Sequence, residues 1–242
     1  MLLNECYLRR GQRGAVLAQI VHCVDAVRRM DGAEPSQRAR AFFATVRQQT
    51  WQPGAVVPAI AAPTRTLYGR ETEYQRLTGL FATTDQRLVT IVGAGGMGKS
   101  TLARAVGAAL SRSFRDGAVF VALEHCSDLA TAMTALGNAL RIDLAQHGSR
   151  LERLIECLTE LEILCVLDNC EQVAELPEAI AALLAGCPKL AIMATSRVPL
   201  ELQQEYVFPL YGFPTTPGVP TDMRRANPAV DLFLARARQI NN

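Results

Sequence analysis

Lysine is nearly missing from this chain. Only Lys99 and Lys189 stand among 25 basic side chains, and the other 23 are arginine. Histidine is scarce too: there are three, none spaced with cysteine like a zinc ligand set. The seven cysteines (6, 23, 126, 157, 165, 170 and 187) contain no Cys-x-x-Cys pair, and their odd number excludes a fully paired disulfide framework. Five of them sit beside or within apolar periodic segments, so they read as buried thiols in a reducing, cytoplasmic setting. No apolar run reaches the roughly 18 residues of a membrane span. The opening stretch MLLNECYLRR carries an acid and two arginines before any long apolar run, which excludes a secretory signal as the expectation. Aromatics make up 6% of the chain and do not interleave with basic residues, and residues 1–50 hold eight Arg against four acids, too diffuse for a nucleic-acid footprint. Direct DNA binding by this chain and membrane association are therefore not expected.

What is present is apolar. With 242 residues, 49% hydrophobic and 20% charged, the chain can bury the core of one full domain plus a smaller attachment, and a disordered chain is excluded. Three textures follow one another. Residues 1–49 read as helical, with Leu17, Ile20, Val21, Val24 and Val27 on one face and Ala39, Phe42, Phe43 and Val46 on another. A Gly near the first turn and a Pro 24 residues later make this pair of helices resemble a tetratricopeptide-type unit. Residues 50–68 hold prolines and aperiodic apolar residues, the texture of an extended linker that Trp51 could anchor. From residue 69 to 242, short β-type runs (Leu88–Val92, Ala118–Leu123, Leu164–Leu167, Leu190–Ala194) alternate with amphipathic helices. One helix runs through Leu129, Met133, Leu136 and Leu140 behind a Ser127 cap, a second opens near Ser149, and a third spans about Pro177 to Leu184. Continuous apolar strands between helices predict an α/β domain, a parallel sheet covered by helices on both faces.

The sharpest signal is Gly93-Ala94-Gly95-Gly96-Met97-Gly98-Lys99-Ser100-Thr101, which fits G-x-x-x-x-G-K-[ST] between an apolar strand and a helix-forming run. Glycines let successive backbone N–H groups face one point, and the new helix aims its positive end there. Lys99 would reach the β- and γ-phosphates and Ser100 would hold Mg²⁺ through its hydroxyl. A second segment, Ile163 to Glu171, is an apolar strand ending in Asp168, which can bind the same Mg²⁺ or simply finish a sheet edge. Asn169 follows where a second acid would serve hydrolysis. Glu171, two residues on, is the nearest substitute, so slow turnover or none is expected. A third strand end, Thr195-Ser196-Arg197, offers a cation that can read a γ-phosphate, or cap the sheet edge structurally.

In order and spacing, YGRETEYQRL, VTIVGAGGMGKSTLARAV, ILCVLDNCEQV, AIMATSRVPLELQQEYVFPL and PAVDLFLARAR resemble the NB-ARC/STAND signal-transducing P-loop ATPases, over roughly residues 68–240. The LDNCE form and the N-terminal helices are similar to the bacterial branch, in which the end of a transcriptional activation domain precedes the ATPase. The resemblance implies that Gly69, Arg70 and Glu71 lie near an adenine, that Arg197 is a sensor arginine, and that the Thr195 strand lies between the strands of the phosphate loop and Asp168. It also implies truncation at both ends, without the helical lid and winged-helix subdomains; Gly212-Phe213-Pro214 does not replace the lid's Gly-x-Pro.

The expected function is an ATP/ADP switch with Mg²⁺ in a cytoplasmic transcriptional regulator. Self-association in the ATP state and contact with RNA polymerase or another protein through the N-terminal helices accompany it. Two alternatives stand beside it: a steadily turning-over ATPase or kinase of the same fold, and an interaction module holding a structural nucleotide.

Overall fold

The computed structural model describes residues 60, 67–83, 86–142, 144 and 149–213, with isolated positions 229 and 237. The helices expected before residue 50, Trp51, most of the linker and nearly all of the helix after Pro228 lie outside the described residues.

Five strands form one parallel sheet: β1 (Leu88–Val92), β2 (Ala118–Ala122), β3 (Leu164–Asp168), β4 (Ala191–Ser196) and β5 (Tyr206–Pro209), in the order β2-β3-β4-β1-β5. The helices bounded among the described residues are α1 (Glu71–Thr83), α2 (Lys99–Leu110), α3 (Leu129–Leu140), α4 (Arg150–Leu158) and α5 (Leu176–Gly186), with a 3-10 turn at Cys170–Gln172. Strands β3 and β4 are buried along their whole length, as expected of a sheet covered on both sides. The pleat sends Cys165, Leu167, Ile192 and Ala194 into a core with α3, α4 and α5. Leu164, Val166, Ala191 and Met193 go into a second core with α1 and α2. The expected α/β fold is thus the observed one, and β4 does lie between β3 and β1.

Three local readings change. The α3 cap is Asp128, not Ser127: Asp128 Oδ1 accepts from Thr131 N at 2.7 Å, while Thr131 Oγ1 accepts from Asp128 N at 3.4 Å. That bond holds the Asp128 carboxyl below its ordinary range. Strand β5 was not foreseen, because it is an edge strand in which only Phe208 is buried and Tyr206 and Val207 face out. Ile60, within the presumed linker, is buried in the second core, where a Cβ on Gly107 would come 2.8 Å from its Cδ1. A side chain at this point of α2 would have to push the ends of Ile60 and Val166 aside.

Of the five cysteines among the described residues, Cys126 and Cys157 are half-buried. Cys165, Cys170 and Cys187 are buried, and burial pushes Cys165 to about 12 and Cys187 to about 11. Cys170 is raised further, first by burial and then by the charges of Glu171 and Asp168. Among the described residues no helix is long and apolar enough to cross a membrane, and no cluster of three His, Cys, Asp or Glu side chains could hold a metal.

Candidate nucleotide site

The carboxyl ends of β1, β3 and β4 carry the sequence-predicted chemistry to one edge of the sheet. After Val92 the chain turns through Gly93–Gly98 into α2. Gly96 (φ 77°) and Gly98 (φ 85°) adopt the left-handed backbone that a curled loop needs and that side chains resist. Gly93 is required for a different reason. Leu210 N donates to Val92 O at 2.7 Å, and a Cβ on Gly93 would lie 2.5 Å from the Leu210 carbonyl oxygen.

Lys99, in the first turn of α2, is buried, and its Nζ donates to Gly93 O at 2.8 Å and to Ala94 O at 3.0 Å. An ammonium has three N–H groups, so among the described residues one is left without a partner. Ser100 is half-buried in the same turn and Thr101 is exposed. The first-turn N–H groups of α2 and the Lys99 ammonium give a donor set suited to phosphate oxygens. The Ser100 hydroxyl and the Asp168 carboxylate supply oxygen, the ligand type Mg²⁺ takes. The residues present thus fit a Mg-nucleotide.

Asp168 ends β3 and is 7% exposed. Its Oδ1 accepts from Thr195 Oγ1 at 2.5 Å, and the same hydroxyl accepts from Asn169 N at 3.0 Å. Asn169 sits at φ 64°, a conformation asparagine tolerates, and turns the chain away from the sheet. Two residues on, Glu171 Oε1 accepts from Arg197 Nε at 3.1 Å while its Oε2 is buried without a partner. Arg197, 65% exposed in its side chain, leans over the phosphate loop: a Cβ on Gly95 would be 3.9 Å from its terminal nitrogen. The structure thus brings Gly95, Glu171 and Arg197 together from three separate segments.

Gly69, at φ 61°, leads into α1, Glu71 is exposed in its first turn, and Arg70 is turned inward and buried. Arg70 donates to Glu73 Oε1 at 2.8 Å, to Met97 O at 3.2 Å and to Tyr211 O at 2.7 Å, and its guanidinium lies 4.5 Å from the Phe213 ring centroid. It thus joins α1, the phosphate loop and the chain after β5. Glu73, Thr195, Tyr211 and Phe213 were not foreseen. Glu73, at i+3 from Arg70 on a helix start, was the one partner that spacing could have found.

This geometry can be compared with known proteins. The model of the AAA ATPase domain matches residues 66–208. An uncharacterised protein of Mycobacterium tuberculosis is 31% identical over 175 residues, covering 72% of this chain and 42% of the relative. A second protein of that organism, provisionally named an HTH-type transcriptional regulator, is 32% identical over 155 residues, covering 64% of this chain and 16% of the relative. The chain therefore spans less than half the length of these relatives. Among solved structures, Cdc6p from Pyrobaculum aerophilum aligns at 19% identity over 65% of this chain and 48% of that one, with a TM-score of 0.48. A STAND protein with a tetratricopeptide repeat sensor from Pyrococcus horikoshii aligns at 16% identity over 66% and 25%, with a TM-score of 0.38. The family match spans the phosphate loop, Asp168 and Arg197 alike, and this chain belongs to the AAA ATPase domain family.

Proposed function

We propose that this domain is an adenine-nucleotide switch of the NB-ARC/STAND type serving a transcriptional regulator, with Mg-dependent binding and little or no turnover. The observation that carries the reading is the placement of Arg197. Its guanidinium stands beside the phosphate loop at Gly95, yet is held by a single charged partner, Glu171, at 3.1 Å. A cation held at one point and largely in water can exchange that partner for a γ-phosphate oxygen, which a diphosphate does not offer. Lys99 would then leave the carbonyls of Gly93 and Ala94 for the phosphates, and Asp168 and Ser100 would hold Mg²⁺, which neutralises phosphate charge when bound. Asn169 cannot take a proton from water, and Glu171 is tied to Arg197, so hydrolysis would be slow. The triphosphate form would be the open, self-associating one and the diphosphate form the closed one.

The name of the second mycobacterial relative supports the setting in transcription, and the order of the motifs supports the NB-ARC/STAND branch. The N-terminal helices would reach RNA polymerase or another protein. The test is to denature the purified chain and identify released nucleotide by chromatography, beside Lys99→Ala. ADP at about one per chain, missing from the variant, supports the reading. A Lys99→Ala chain that binds nucleotide like the parent overturns it.

A further inference from the structure

The hydroxyl of Thr195 is fully buried at the end of β4, in a strand otherwise built of Ala, Ile and Met before Ser196. Leu167 pairs with Ala194, so the next position across the two strands sets Thr195 beside Asp168. The proton on Oγ1 has one place to go. Asn169 N can only donate, and it donates to Oγ1 at 3.0 Å; the hydroxyl must therefore donate to Asp168 Oδ1, 2.5 Å away. Asp168 Oδ2 makes no hydrogen bond among the described residues, and it is not sealed from solvent. A carboxylate rotates freely about its last torsion unless something holds it. Here one oxygen is fastened and the other is left free to meet a cation.

We infer that Thr195 is a positioning residue for the Mg²⁺ site, fixing Asp168 through Oδ1 so that Oδ2 is the oxygen offered to the metal. The inference rests on the metal role proposed for Asp168. The same hydroxyl also holds the Asn169 N–H, so one side chain sets both the carboxylate's rotation and the turn that ends β3. Such outer partners of a metal ligand change metal affinity by about 10–100-fold when removed.

The experiment is calorimetric titration of the purified chain with ADP and ATP across a Mg²⁺ series and in EDTA, for the parent, Thr195→Val and Thr195→Ser. Thr195→Val keeps the shape and removes the donor. It is expected to need at least about tenfold more Mg²⁺ for half-maximal tightening, with Mg-free affinity unchanged, while Thr195→Ser restores the parent curve. A Thr195→Val chain with the parent's Mg²⁺ dependence overturns the inference. So does an equal loss of affinity with and without Mg²⁺. If Thr195→Val and Thr195→Ala both fail to fold while Thr195→Ser folds, the hydroxyl serves the fold and the inference is again overturned. A parent chain that binds nucleotide without any Mg²⁺ dependence overturns the metal role of Asp168 itself, a separate failure visible before any variant is made.

Discussion

Two buried aspartates stand at opposite ends of the sheet, and their surroundings differ in kind. Asp116, just before β2, is fully buried; its Oδ2 accepts from Arg115 at 3.0 Å and from Glu162 N at 2.9 Å. With Arg115 also donating to Glu160 O, the pair fastens the start of β2 to the chain entering β3. Asp168, at the other end of β3, has no cation partner among the described residues and one hydroxyl. A carboxylate neutralised within the protein is part of the architecture. One held by a neutral hydroxyl keeps its charge for something that arrives. Burial alone does not tell the two apart.

The sharpest way to break this comparison is to remove each charge in turn. Asp116→Ala leaves Glu162 N without its acceptor and Arg115 without its partner. The expected loss is about 2–3 kcal/mol in urea unfolding, trimmed from the buried-pair range because the Arg115 side chain is 42% exposed. Asp168→Asn keeps an acceptor for Thr195 and should stay within about 1 kcal/mol of the parent while losing the Mg²⁺ dependence of nucleotide binding. Equal destabilisation by both substitutions would end the distinction.

Gly93→Ala extends the test to the upper edge. Its Cβ would meet the Leu210 carbonyl oxygen, which is backbone and cannot swing aside. Either β5 shifts or the phosphate loop does, at a cost of about 1–3 kcal/mol with weakened nucleotide binding. Unchanged unfolding and binding would mean that β5 is free to move.

Arg70 sharpens the comparison from within the site. It is a buried charge at the functional edge, yet it is compensated as Asp116 is, by Glu73 and two carbonyls. Arg70→Ala should therefore act first on stability, by about 1–2 kcal/mol, and raise amide exchange at residues 211–213. Its effect on binding should be equal with and without Mg²⁺. A change confined to Mg-dependent binding would place Arg70 with Asp168 instead.

Much of this was legible in the chain, and the rest was hidden for identifiable reasons. Strands β1 to β4 announce themselves because a doubly covered parallel sheet demands unbroken apolar runs such as LCVL. Strand β5 does not, since YVFP buries one side chain in four and looks like a loop between Glu205 and Leu210. Lys99, Ser100 and Asp168 stand out in the sequence because phosphate and metal chemistry fixes residue types locally, and the fold sets all three at one edge of the sheet. Thr195 does not stand out two residues before Arg197: its partner is 27 positions away, and only the β3–β4 register brings them together. For Arg70 no sequence pattern shows that Met97 and Tyr211 offer it carbonyls. Local chemistry is written in the sequence, whereas contacts set by strand order are not.

The smallest effect concerns the thiols, and it separates the two ends once more. Cys165 sits in mid-strand, raised to about 12 by burial and then by Cys187, so at pH 8 it is a thiol and not the reactive thiolate. Cys170 lies beside Asp168 and Glu171, whose negative charges add to the burial that raises it. Neither should be alkylated in the folded chain at pH 8, whereas among the described thiols the half-buried Cys126 and Cys157 should react first. Mass spectrometry after timed alkylation reads the order directly. If Mg-nucleotide binding offsets the Asp168 charge, one of the charges that raise Cys170 falls, while Cys165, raised by burial and Cys187, keeps its own shift. Cys170 should still react slowly, because burial is its larger cause, but a modest gain in its rate relative to Cys165 is expected with Mg-ADP. Parallel rates for the two thiols in the presence and absence of Mg-ADP would mean that the charge on Asp168 counts for little beside burial and Glu171 in holding Cys170 as a thiol.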